Sequence, residues 1–192
     1  MFFYNKNFVS EEPTTVDDLR QIADELKGRG KIPLAFGDQG QWPAGHLFSI
    51  GFSNVLGRDG LDNILYGDGS WDTPEVVEAV ELLFRDFVES GYYPDGVNAL
   101  TYDDTNALFF SGQAAMNPTG TWLVSEIVQA VQDFEVGFFP FPSVDGSGIA
   151  PPVGVGAGAA GFFLSGLQAK RHTSNTPPNS NACRPLIRLF MK

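Results

Sequence analysis

The chain has 192 residues, 43% of them hydrophobic, a globular composition with enough apolar side chains for one well-buried core and part of a second. Its net charge of −11, from 23 acidic and 12 basic residues, argues against a nucleic-acid partner, which needs a basic footprint, and against a polybasic membrane anchor. A small neutral ligand suits this balance better.

In chain order, Thr14 and Thr15 are helix caps, with Asp17 and Asp18 completing capping-box pairs near the positive helix end. Val16, Leu19, Ile22, Ala23 and Leu26 follow at helical spacing, and Gly28 ends the run. Lys31 to Phe36 is a short apolar stretch bounded by glycine, read as a buried strand. Gly37 to Gly45 reads as a polar loop containing Trp42, and Leu47, Phe48, Phe52, Val55 and Leu56 as a helix with Pro43 near its first turn. Asp72 or Thr73 caps a longer helix with Pro74 near its start. Its stripe is Val76, Val77, Val80, Leu83, Phe84, Phe87 and Val88, closed by Gly91. Thr101, with Asp104 three residues on, opens a shorter helix running through Phe109 to Gly112. Ala114–Met116 is a small buried strand, Leu123, Ile127, Val128 and Val131 form another helical face, Phe134 to Phe139 is a strand, and Asp145-Gly146 is a turn. Helices alternating with short apolar strands indicate an α/β layer architecture.

Several apparent motifs carry little chemistry. Gly156 to Gly161 spells GxGxxG, but Pro151-Pro152 precedes it, Phe162-Phe163-Leu164 continues as a strand, and no acidic residue follows Asp145 to hold a ribose. A glycine-rich strand or turn is the better reading. His46 and His172 have no nucleophile partner pattern, and Ser111 and Ser165 sit in no GxSxG elbow. Asp59, Asp62, Asp68 and Asp72 lack the alternation of a calcium loop and read as a solvated rim. The single cysteine, Cys183, belongs to no zinc-type spacing; neither a metal nor a cofactor is expected. Abundant carboxylates leave a glycosidase pair open.

Residues 1–165 hold all 23 acidic and seven basic residues, whereas 166–192 hold five basic and none acidic. That tail reads as disordered or aberrant: either a natural basic extension or, as the abruptness favours, a wrongly joined end. Met1 to Tyr4 runs into Asn5-Lys6 without a charged leader or a long apolar region, so no signal peptide is read. Taken literally this means a cytoplasmic chain, or else Met1 is an internal methionine of a longer protein. No stretch approaches the ~18 apolar residues of a membrane span.

Three tryptophans stand in loop-rich settings. A sugar has flat apolar C–H faces and a rim of hydroxyls, so it is bound by an aromatic ring beneath and polar side chains around. Trp42 lies among Asp38, Gln39, Gln41 and His46; Trp122 follows Asn117, Thr119 and Thr121. On the residues alone a core tryptophan is the favoured reading of Trp42 and Trp122, and Trp71, beside a helix cap, is read as structural.

Three segments resemble the extracellular solute-binding protein family of sugar ABC importers, maltose-binding-protein-like. They are Phe3 to Phe8 with Pro13 to Leu19; Phe109 to Met116 followed by Gly120-Thr121-Trp122; and Gly137 to Gly146 with Phe139-Pro140-Phe141-Pro142. Order and spacing match across residues 1–164; Val16, where the family usually has Trp, belongs to packing. The resemblance implies a type II periplasmic-binding-protein-like lobe of an incomplete two-lobed fold that closes on its ligand by a hinge. Residues 1–150 would be the α/β domain of the C-terminal lobe, 151–165 a glycine-rich return strand towards the hinge or N-terminal lobe, and 166–192 the tail. Carried over, Trp122 matches an aromatic platform, Asn117, Gly120 and Thr121 a cleft-facing loop, and Trp42 an aromatic after the first strand, with Asp38 and Gln41 on the rim. The implied function is sugar or oligosaccharide capture without chemistry, for delivery to ABC permease subunits. The full-length protein would be periplasmic or extracellular and membrane-anchored. A carbohydrate hydrolase or a non-functional truncated product are the alternatives.

Overall fold

The structure is a computed structural model that describes residues 1–131 and 133–144, without the Arg58 side chain. The Asp145-Gly146 turn, the glycine-rich 151–165 segment, Cys183, His172 and the basic tail lie outside the described residues.

Four strands form one sheet in the order β2-β3-β1-β4: β1 (Phe2–Asn5), β2 (Ile32–Leu34), β3 (Ala114–Pro118) and β4 (Val136–Phe139). β2 and β3 are parallel, pairing Ile32 with Ala114 and Leu34 with Met116. β1 lies between β3 and β4 and is antiparallel to both, with Phe2 opposite Pro118 on one side and Phe139 on the other. All four β1 residues are buried, so no polar alternation marks this strand in the sequence. Phe2 and Tyr4 pack into one core with helix α1 (Val16–Gly28), whereas Phe3 turns to a second core with helices α5 (Tyr102–Phe110) and α6 (Val124–Ala130). Opposite strand faces thus feed two helical layers.

Of the two capping pairs expected at the start of α1, Thr15 with Asp18 forms, whereas Thr14 also bonds to Asp18 and Asp17 accepts from Arg20 at 2.8 Å. Thr15 Oγ1 accepts from the Asp18 amide at 3.1 Å while the Asp18 carboxylate accepts from the Thr15 amide at 2.9 Å, and Thr101 and Asp104 repeat the exchange at the start of α5. The hydrogen bonds from Thr15 and Thr14 hold the Asp18 carboxyl down to about 2.

Elsewhere the elements depart from the expected bounds. The Lys31–Phe36 stretch pairs only over Ile32–Leu34, and the Phe134–Phe139 strand starts at Val136. The polar loop ends at Gln41, because helix α2 (Trp42–Tyr66) begins with Trp42 and Pro43. Pro43 has no N–H to satisfy, and Asp38 Oδ1 folds back to accept from the Ala44 amide at 2.8 Å. α2 kinks at Gly57, where φ 64° and ψ 178° are open to glycine alone.

The next helical run is α3 (Pro74–Val80), a π-helical turn (Glu81–Asp86) and α4 (Phe87–Glu89). Ala79 and Leu82 are buried with Val76, Leu83 and Phe87, while Val77 and Val88 remain exposed at the edge of the stripe. On α6, after a 3-10 turn (Thr121–Leu123), Leu123 and Ile127 are buried and Val128 faces outward. Trp71 packs edge-on against Phe52 at 5.4 Å, a structural place as expected. Among the described residues no helix is long and apolar enough to cross a membrane.

Candidate functional site

Because β2 and β3 are parallel, their carboxyl ends reach the same sheet edge, where open α/β sheets receive ligands. The chain leaving β2 passes Ala35, Phe36 and Gly37 and turns into α2. The chain leaving β3 passes Thr119 and Gly120 into the 3-10 turn, and α5 starts at the same place with Tyr102. Gly37 is required by close approach, since a Cβ there would lie 2.7 Å from the Leu100 carbonyl oxygen and 2.7 Å from Thr105 Cγ2. The Asp38 amide donates to the Val97 carbonyl at 2.9 Å and the Gln39 amide to that of Leu100 at 3.1 Å, tying this loop to the approach of α5.

Three aromatic rings meet there at steep angles. Trp42 stands 4.8 Å from Tyr102, inclined by 54°, and 6.0 Å from Trp122, inclined by 61°. Trp42 is 46% exposed, so much of its indole is open to solvent. Trp122 is half-buried and its ring folds back over Gly120. It is held by a hydrogen bond from Nε1 to Tyr102 Oη at 2.8 Å, and Tyr102 Oη lies 3.0 Å from Thr119 Oγ1. His46 presents its imidazole to Trp122 at 5.2 Å.

The two tryptophans singled out in the sequence are therefore side by side. Asn117 lines the same concavity but is 2% exposed, and its Nδ2 donates to Asn106 Oδ1 at 2.9 Å. Gly120 is buried beneath the Trp122 ring, and Thr121 is half-buried in the 3-10 turn. Asp38 caps α2, and burial pushes its carboxyl up. Gln41 is exposed in the left-handed region, at φ 61°, and makes no side-chain cap bond. Tyr102, the hub of the cluster, has no sequence mark beyond following the Thr101 cap.

Burial lowers the His46 imidazole from its ordinary 6.5 to about 4. Between those values the unfolded chain binds a proton that the folded chain refuses. The stability due to neutral His46 is therefore complete above pH 6.5 and is lost as pH falls towards 4. Urea unfolding midpoints should decline over that window, and His46→Phe should flatten the decline. An undiminished decline in the variant contradicts the assignment.

The α/β lobe that carries this aromatic corner matches part of the type II periplasmic solute-binding fold. The chain belongs to the bacterial extracellular solute-binding protein family, matching it over residues 1–165. It is 33% identical over 128 residues to an uncharacterised ABC transporter extracellular-binding protein of Pyrococcus horikoshii, covering 64% of this chain and 28% of that protein. It is 26% identical over 175 residues to the multiple sugar-binding protein of Streptococcus mutans, covering 85% and 40%. Among solved structures, a chitin oligosaccharide binding protein superposes with a TM-score of 0.69 at 27% identity, over 77% of this chain and 38% of that one. The chain thus spans well under half the length of these relatives.

Proposed function

We propose that this chain is the C-terminal lobe of a binding protein that captures a carbohydrate outside the cytoplasm and delivers it to an ABC permease. The observation that carries this reading is the half-exposed Trp42 indole, set at an angle to Tyr102 and Trp122. Angled aromatic faces grip the apolar C–H surface of a sugar ring, and neighbouring hydroxyl and amide groups suit its rim. The names of the relatives, sugar-binding and chitin oligosaccharide binding, point the same way.

The concavity within the lobe measures only about 10 Å³, so a sugar ring lies against its mouth and not inside it. A second lobe closing by a hinge would cover the other face and signal the permease. Among the described residues, the lining of this concavity brings together aromatic, hydroxyl and amide side chains with His46.

One lobe of a clamp should bind weakly, in the millimolar range. Tryptophan fluorescence of the chain, titrated with glucose, galactose, maltotriose, xylotriose and chitotriose, should change saturably for at least one. No saturable response to any of them, or release of aryl alcohol from aryl glycosides, overturns the reading.

A further inference from the structure

We infer that this lobe grips a single pyranose ring of its saccharide, with Trp42 as the one stacking platform and Tyr102 and Trp122 as its walls. The inference rests on the carbohydrate reading and sets how much of a sugar chain this lobe recognises.

A run of stacked sugar units needs aromatic faces spread along one direction, because each pyranose offers its own apolar C–H face. The three rings of the corner are not spread in this way. Their planes are inclined by 54° and 61°, and centroids 4.8 and 6.0 Å apart put Tyr102 and Trp122 in direct contact with Trp42. No sugar ring passes between surfaces that already touch. Nor do the three rings offer equal surface: Trp42 is exposed, whereas Tyr102 and Trp122 are half-buried. The Trp122 ring lies back over Gly120, and its Nε1 donates to Tyr102 Oη. One open indole is thus backed by two rings fixed to each other.

The surroundings of Trp42 set the limit on either side. On α2, Gly45 and Ser49 follow Trp42 at three and seven positions and share its helix face; both are exposed and neither carries a ring. Upstream, Gln39, Gly40 and Gln41 are exposed, and a Cβ on Gly40 would lie 3.2 Å from Trp42 Cδ1. Two amide side chains beside one indole suit the hydroxyl rim of one sugar and give a second unit no face to stack on. Behind the rings, a space of about 10 Å³ is too small for a pyranose. Among the described residues the other exposed aromatics are Tyr66, the last residue of α2 beyond the Gly57 kink, and Phe138, on β4 with β1 between it and β3. Neither lines the corner. Past Trp42 a second unit therefore meets small or polar side chains, and stacking does not grow with chain length.

The test compares saccharides of one unit but different lengths, using the indole N–H shifts of the whole chain. Four series are titrated, each as methyl glycoside, disaccharide and trisaccharide: methyl glucoside with maltose and maltotriose, and the matching sets of xylose, galactose and N-acetylglucosamine. In every series that binds, affinity for the trisaccharide should stay below about ten times that for the methyl glycoside, since three equivalent rings add only a statistical gain. A gain of about tenfold or more overturns the inference, as does a trisaccharide that binds when its methyl glycoside leaves the spectrum unchanged. A second platform then exists and the carbohydrate reading stands. If no member of any series shifts the indole signals, both fall.

Discussion

Gly120→Ala should unseat the Trp122 indole and lower both stability and sugar affinity. Gly120 has φ −98° and ψ 171°, backbone angles that any residue adopts, so an alanine meets no backbone strain there. What it meets is the ring: a Cβ would lie 2.0 Å from Cζ3 and 2.2 Å from Cη2 of Trp122. No rigid contact survives at that separation. The indole must swing away, losing its bond to Tyr102 and its edge contacts with Trp42 and His46. Overpacking of this kind costs about 1–3 kcal/mol. Because the obstacle is one side chain, the effect should vanish in a Trp122→Ala background, which a double-mutant cycle measures by urea unfolding. An equal penalty for Gly120→Ala with and without the Trp122 ring would show that the ring is not seated on Gly120.

Trp42→Ala should do the reverse, removing binding while leaving the fold nearly intact. With 46% of its surface in water, Trp42 contributes little to the interior, and its contacts with Tyr102 and Trp122 are worth about 1 kcal/mol. Bound to a sugar, the exposed face becomes buried, and an aromatic anchor at the centre of a contact is worth about 2 kcal/mol or more. Affinity for the sugar that best quenches the wild-type fluorescence should therefore fall about 30-fold, with a thermal midpoint only a few degrees lower. A variant that binds as well as wild type would remove Trp42 from the site; one that unfolds would make it a core residue.

How much of this could be read from residues alone depended on the range of the forces involved. The capping boxes at Thr15 and Thr101 were legible because cap and partner are three residues apart. The edge of the third run's stripe was not, since Val77 and Val88 are apolar yet exposed, and the π-helical turn at Glu81–Asp86 leaves no local signature. β1 was not read as a strand at all: it is four residues long and buried on both faces, so no periodicity shows. The site divides the same way. Trp42 and Trp122 stood out by residue type and by resemblance, 80 positions apart in the chain. That Tyr102 joins them through Trp122 Nε1, and that His46 stands behind both, depends on how α2 and α5 dock against the ends of β2 and β3. Gly45 suggested a continuing loop, yet the Asp38 carboxylate reaching Ala44 starts the helix earlier and fixes Trp42 on its first turn.

The sharpest trial uses the three indole N–H signals in the 1H–15N spectrum, followed as sugar is added. Trp71, packed against Phe52 in a separate apolar cluster, serves as the internal control. Resonances of Trp42 and Trp122 should shift together along one saturation curve while that of Trp71 stays in place. Shifts at Trp71 alone, or equal small drifts at all three, would mean that carbohydrate does not settle on the aromatic corner.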